Sequence, residues 1–169
     1  MRYIRDGAIA ADPWVSVEGD EPVPAHVPAI VSPDWLLAAT PETIANRSAP
    51  LGVAWPNDRP ESELVPYLGR LSLIALEFPV FRDGRAYSQA RGLRERHGFK
   101  GEIRATGDVL RDQFLFMARA GFNAFEVKKP ADAQAFTTAL GAYSIRYQPS
   151  GAGSNAFRAS LRGAFPFST

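Results

Sequence analysis

The spacing of its apolar segments constrains this chain more than any other feature. From residue 51 onward, short apolar segments begin near residues 51, 71, 102, 124 and 145, and the stretches between them carry helix starts and stops. A strand–helix–strand unit needs a long crossover, and such crossovers join parallel neighbours with a right-handed turn. The spacing therefore predicts an α/β fold with a mainly parallel sheet. If successive strands are neighbours, the sheet is a half barrel of the TIM-barrel kind. Leu71–Phe78 (LSLIALEF) is the strongest strand, and its near-continuous apolar run predicts burial on both faces.

The stretches between strands read as helices of uneven quality. Residues 60–68 form one that Pro66 must kink or shorten. Residues 85–97 form a second, capped by Asp83 and stopped by Gly98, with Ala86, Ala90, Leu93 and His97 inward. Residues 109–120 form a third, capped by Asp108 and stopped by Gly121, with Leu110, Phe114 and Met117 inward. Pro130 opens a fourth, ending at Leu140, and the last strand is 145–148.

Upstream, residues 2–17 read as a small β-hairpin turned by Asp6-Gly7. A proline-rich loop follows, in which His26 is a surface residue with no assigned role, and then a short strand at Ala29–Val31. Ser32-Pro33 and Thr40-Pro41 are helix starts, a hydroxyl cap before a proline. One α/β domain over residues 1–148 is expected, its hairpin at 1–17. The tail, 149–169, is rich in Gly, Ser and Ala with spaced Phe157, Leu161, Phe165 and Phe167. It either docks on the body or binds a partner.

Composition excludes several functions. A net charge of +1 gives no global field for nucleic acid. Without cysteine there is no disulfide, no thiolate nucleophile and no cysteine-held iron–sulfur cluster. Two histidines, His26 and His97, do not make a histidine-rich metal centre. No apolar run approaches the roughly 20 residues of a membrane span, so no membrane role and a cytoplasmic location are the expectation. The chain lacks a GxGxxG turn, a phosphate loop, a GxSxG elbow and an HExxH helix. No metal or cofactor is expected.

Two constellations could carry chemistry. Glu77, Arg104, Glu126 and Arg146 fall one to a strand with alternating signs, a pattern that can form a ladder of opposite charges on one face. Such a ladder is either a structural ion network or a polar site with Glu126 held ionised between two arginines. The loops after the strands, where parallel sheets bind ligands, bring further cations to one edge. The anion-site candidates are Arg82, Arg85, Tyr87, Ser88, Arg104, Asp108 and Lys128. Arginine forks suit sulfite, sulfate, phosphate or a carboxylate. Arg91, Arg94, Arg96 and Lys100 read as a solvated basic face. None of these residues names a reaction.

A resemblance supplies context. It rests on Phe78 and Phe81, Asp83-Gly84-Arg85, Tyr87-Ser88, Ala90-Arg91, Leu93-Arg94, Gly101-Glu102, Arg104-Ala105, Gly107-Asp108-Val109 and Asp112-Gln113. On these, residues 51–147 resemble the bacterial family catalogued as domain of unknown function 934, whose members are described as oxidoreductases involved in sulfite reduction. The resemblance brings no catalytic residues. It implies a place in bacterial sulfur metabolism and cysteine biosynthesis, as an accessory protein that associates with sulfite reductase or its electron donor. Redox chemistry by the chain alone would need a bound electron carrier. The rivals are a small-molecule or anion-binding enzyme and a structural homo-oligomer, since an open sheet edge invites pairing.

Overall fold

The computed structural model describes residues 2–19, 21–80, 82–128, 133–135 and 137–138. Its strands are β1 (Arg2–Arg5), β2 (Ala8–Ala10), β3 (Val15–Ser16), β4 (Ala29–Val31), β5 (Leu51–Trp55), β6 (Leu71–Phe78), β7 (Glu102–Gly107) and β8 (Ala124–Val127). They form one sheet in the order β2-β1-β8-β7-β6-β5-β4-β3. Strands β3 to β8 are parallel and in chain order, whereas β1 lies antiparallel to β8 and β2 antiparallel to β1. The fold is the α/β half barrel that the spacing predicts, with an N-terminal hairpin built into the sheet.

The connectivity forces the curl. Strands β2 and β3 are opposite edges of the sheet, yet only residues 11–14 separate them in sequence. Five Cα steps span at most about 18 Å, while the edges of eight flat strands stand about 33 Å apart. The sheet must therefore bend until its edges approach, and residues 11–14 cross the open side as a strap. The hairpin turn is of the type its sequence announces, with positive φ at both Asp6 and Gly7. The second arm differs from expectation. It does not run on to Val17 but stops at Ala10, and the chain resumes on the far edge.

The helices cover the convex face. They are α1 (Pro33–Ala38), α2 (Pro41–Ala45), α3 (Arg85–Arg91) and α4 (Phe114–Ala120). Ser32 and Thr40 cap the first two through their hydroxyls, as their sequences predict. Beneath the helices lies the main core, including Val53, Trp55, Ile74, Leu76, Phe78 and Phe125. The concave face holds a smaller apolar group, Ile30, Leu73 and Ala75, covered by Trp14 of the strap. Gly52 makes room for that ring: a Cβ there would stand 3.1 Å from the Leu73 Cβ and 3.2 Å from Trp14 Cζ3.

Several local expectations are corrected. Residues Glu61–Tyr67 wind as a 3-10 helix, because Pro66 cannot donate the backbone bond an α-helix needs there. Helix α3 passes into a π turn at Gly92–Arg96 before Gly98, at φ +65°, stops it. Asp83 accepts the Arg85 N–H from outside the helix, 3.2 Å away, with Gly84 at the cap position. Asp108 does not cap α4. Gly107, at φ +86°, turns the chain so that the Asp108 N–H donates to the Phe78 carbonyl at 2.7 Å, and α4 starts only after a 3-10 turn at Arg111–Gln113.

Arg94 is not part of a solvated face. Its guanidinium donates to the carbonyls of Gly121, Phe99 and Gly101 and to Asn123 Oδ1, over 2.7–3.2 Å. Burial pushes its pKa down to about 10. One side chain thus fastens the end of α4 and the entry to β7 to the helical turn that carries it. Residues 133–135 and 137–138 are helical, where the Pro130 helix is expected. The strand at 145–148 and the tail 149–169 lie outside the described residues. Among the described residues no helix is long and apolar enough to cross a membrane.

The fit between Gly52 and Trp14 is testable. Gly52→Val forces the indole off the concave face and is expected to cost about 1–3 kcal/mol, as overpacking does. Urea unfolding measures the loss, and acrylamide quenching of tryptophan fluorescence should rise with it.

Candidate functional site

Strand β7 carries a fully buried arginine. Its alternation sends Ile103 and Ala105 to the helix side and Glu102 and Arg104 to the concave side. Arg104 is fully buried, at 0% exposure. Isolated burial of a guanidinium is costly, so its partners decide whether it is tolerated.

The partners come from four segments. Arg104 Nε donates to Glu102 Oε1 at 2.9 Å on its own strand. Its two terminal nitrogens meet the Asp12 carboxylate fork to fork, Nη1 to Oδ2 at 2.8 Å and Nη2 to Oδ1 at 3.0 Å. Nη1 also reaches Glu126 Oε1 on β8 at 3.3 Å. The Tyr3 ring of β1 lies under the guanidinium at 4.4 Å, and the Tyr3 hydroxyl donates to Glu102 Oε2 at 2.7 Å. Arg5 approaches the same carboxylate oxygen at 3.6 Å from a half-exposed position.

This surrounding sets the proton affinities. Burial alone pulls the Arg104 pKa down, but the Asp12 hydrogen bond and the charges of Glu102 and Asp12 outweigh it and hold the value above its usual level. Burial, then the hydrogen bond to Glu102, raises the Tyr3 phenol above its usual 10. The cluster is a permanently charged cation held by three carboxylates, with a neutral phenol closing it. Among the described residues no group of histidine and carboxylate side chains is arranged to hold a metal ion.

The C-terminal edge of the sheet is organised separately. Arg85 grips Asp83 through Nη2 to Oδ2 at 2.6 Å and Nε to Oδ1 at 3.0 Å. Those bonds, with the Arg85 N–H, hold the Asp83 carboxyl well below the usual carboxylate range. The buried Gln89 side chain donates to the carbonyls of Pro56 and Arg59, tying α3 to the turn after β5. Arg59 stacks over the Trp55 ring at 5.1 Å.

A third feature is an open groove between α3 and α4, about 610 Å³ in volume. Tyr87, Ser88 and Arg91 line one side and Asp112, Gln113, Phe116 and Arg119 the other. Tyr87 packs edge-on against Phe78 at 5.3 Å, and burial, followed by the Asp112 charge, raises its pKa. Phe116 is 61% exposed in this groove, the most exposed large apolar side chain among the described residues.

The seven anion-site candidates are distributed over three places. Arg104 is inside the curl, Tyr87 and Ser88 are in the groove, and Arg82, Arg85, Asp108 and Lys128 are at the C-terminal edge. Of the four ladder residues, Arg104 and Glu126 are 3.3 Å apart, Glu77 stands level with Thr106 and is exposed, and Arg146 lies outside the described residues. Tyr3, Asp12 and Glu102 were not among the sequence candidates. Glu102 was readable, since it sits two residues before Arg104 and so shares its face. Asp12 was not, because it meets Arg104 across 92 positions of sequence.

These features define an α/β half-barrel protein with an ion cluster in its concave face and an open groove on its helical side. The family model for bacterial proteins of unknown function, DUF934, matches residues 52–157, and the chain belongs to that family. No curated protein matches the chain. The match begins at β5, so Glu102, Arg104, Glu126 and the groove fall within it, while Tyr3 and Asp12 lie upstream.

Two measurements check the cluster. Arg104→Met leaves the carboxylates without their cation and should destabilise the protein by about 3–5 kcal/mol in urea unfolding. The raised Tyr3 pKa makes the neutral phenol the folded form. Its contribution is complete below pH 10 and lost as pH rises beyond it. In an alkaline absorbance titration of the folded protein, one of the five tyrosines should ionise last, and Tyr3→Phe should remove that step.

Proposed function

We propose that this chain is an accessory protein of bacterial assimilatory sulfite reduction, working by association with sulfite reductase or its electron donor. The biochemical setting is the one the family resemblance implies. The observation that supports association is the groove between α3 and α4. There an exposed aromatic ring, Phe116, stands in an open depression rimmed by Arg91, Arg119 and Asp112. An apolar anchor inside a polar rim is the usual anatomy of a protein-recognition surface. The charges inside the curl, by contrast, are engaged with one another, and Arg85 is engaged with Asp83.

The test is binding of the purified chain to purified sulfite reductase and, separately, to its electron donor, read by calorimetry. A saturable complex with one of them is expected. Phe116→Asp should weaken it at least tenfold, on the order of an interface anchor, while leaving the thermal midpoint unchanged. Absence of a complex with either protein overturns the proposal, and unchanged binding by Phe116→Asp removes the groove from it.

A further inference from the structure

We propose that the concave face of the sheet is a binding site for a small monocarboxylate, and that the chain's own Asp12 occupies it. This goes beyond the accessory role and does not depend on it.

The chemistry is read from the group already there. Asp12 meets Arg104 with two nearly parallel N–H···O bonds, at 2.8 and 3.0 Å. That is the geometry by which arginine recognises a free carboxylate. The other partners of Arg104 belong to the scaffold: Glu102 on β7 and Glu126 on β8. Asp12 does not. It lies on the strap, outside every strand and helix, on an exposed stretch whose local bond is an Asx turn from the Trp14 N–H at 3.2 Å. The terminal fork of a fully buried cation is thus completed by a carboxylate on a surface loop, held by one three-residue and one two-residue edge strand.

Charge selects among anions. Without Asp12, Arg104 and Arg5 balance Glu102 and Glu126, two against two. A singly charged ligand restores the single net negative charge that Asp12 now adds. A dianion adds a second negative charge among two carboxylates, where low polarisability makes like charges expensive. The site therefore takes formate or acetate in preference to sulfate or phosphate. Trp14, two residues after Asp12, closes the apolar floor beside it, so lifting the strap uncovers cation and floor together.

Removal of the internal carboxylate tests this. The thermal midpoint of Asp12→Ala is measured in sodium formate, sodium sulfate and sodium chloride at equal ionic strength. Formate at ten times its dissociation constant should raise it by about 3 °C or more over chloride, while sulfate gives no such rise. Wild type and the double variant Asp12→Ala/Arg104→Met should show no formate-specific rise. If Asp12→Ala does not fold in chloride, recovery of the folded state in formate is the same positive result. A formate shift no larger than that of wild type overturns the proposal, as does an equal shift in the double variant or failure to fold in either anion.

Discussion

The structure depends on how Arg104 is enclosed. A guanidinium removed from water is tolerated only with a complete set of acceptors, and no single element supplies it. Glu102 comes from the same strand, Glu126 from β8, the ring of Tyr3 from β1 and Asp12 from the strap. Enclosure therefore fixes relations that backbone bonding leaves loose. Tyr3 lies opposite Glu126 in the antiparallel pair. A slip of one residue would send Tyr3 to the helix side and bring Ile4 among the carboxylates. The cluster acts as a register device for the hairpin, the role best attested for buried polar groups.

The two sides of the sheet divide the chemistry. Inside the curl, charge meets charge and Trp14 seals an apolar floor. Outside, α3 and α4 leave an open groove with Phe116 standing in it. Arg94 ties the end of α4 and the entry to β7 to the turn that follows α3. The region matched by the family includes the groove and three members of the cluster but not Asp12 or Tyr3. The N-terminal segment thus completes, from outside that region, a site whose other half lies within it.

What the sequence reveals follows from the range of the forces involved. Strands β4, β5 and β6 are legible to the residue, because apolar runs end at prolines and charged turns that act locally. The hydroxyl caps of α1 and α2 are equally local. Asp108 misleads because a carboxylate before an apolar stretch has the form of a cap. Only the positive φ of Gly107 shows that the chain turns back to Phe78 first. Arg94 misleads for a related reason: its carbonyl partners at Phe99, Gly101 and Gly121 present no side-chain pattern to read. The strap is the least legible part. Nothing near residues 11–14 says that the next strand belongs to the opposite edge, or that Asp12 has a partner 92 positions away.

The position of β1 has a consequence for the order in which this chain can acquire its structure on the ribosome. Tyr3 pairs with Glu126 and Ile4 with Phe125, so β1 has its neighbour in β8, more than a hundred residues further along the chain. The hairpin emerges with a polar side chain on one face and Ile4 on the other, and no sheet to join until more than a hundred further residues have been translated. Pairings of such separation carry the largest loop-closure cost and form late. The body of β4 to β8 can assemble from neighbours as it is synthesised, whereas β1, β2 and the strap are added last. The strand at residues 2–5 waits for the strand at residues 124–127.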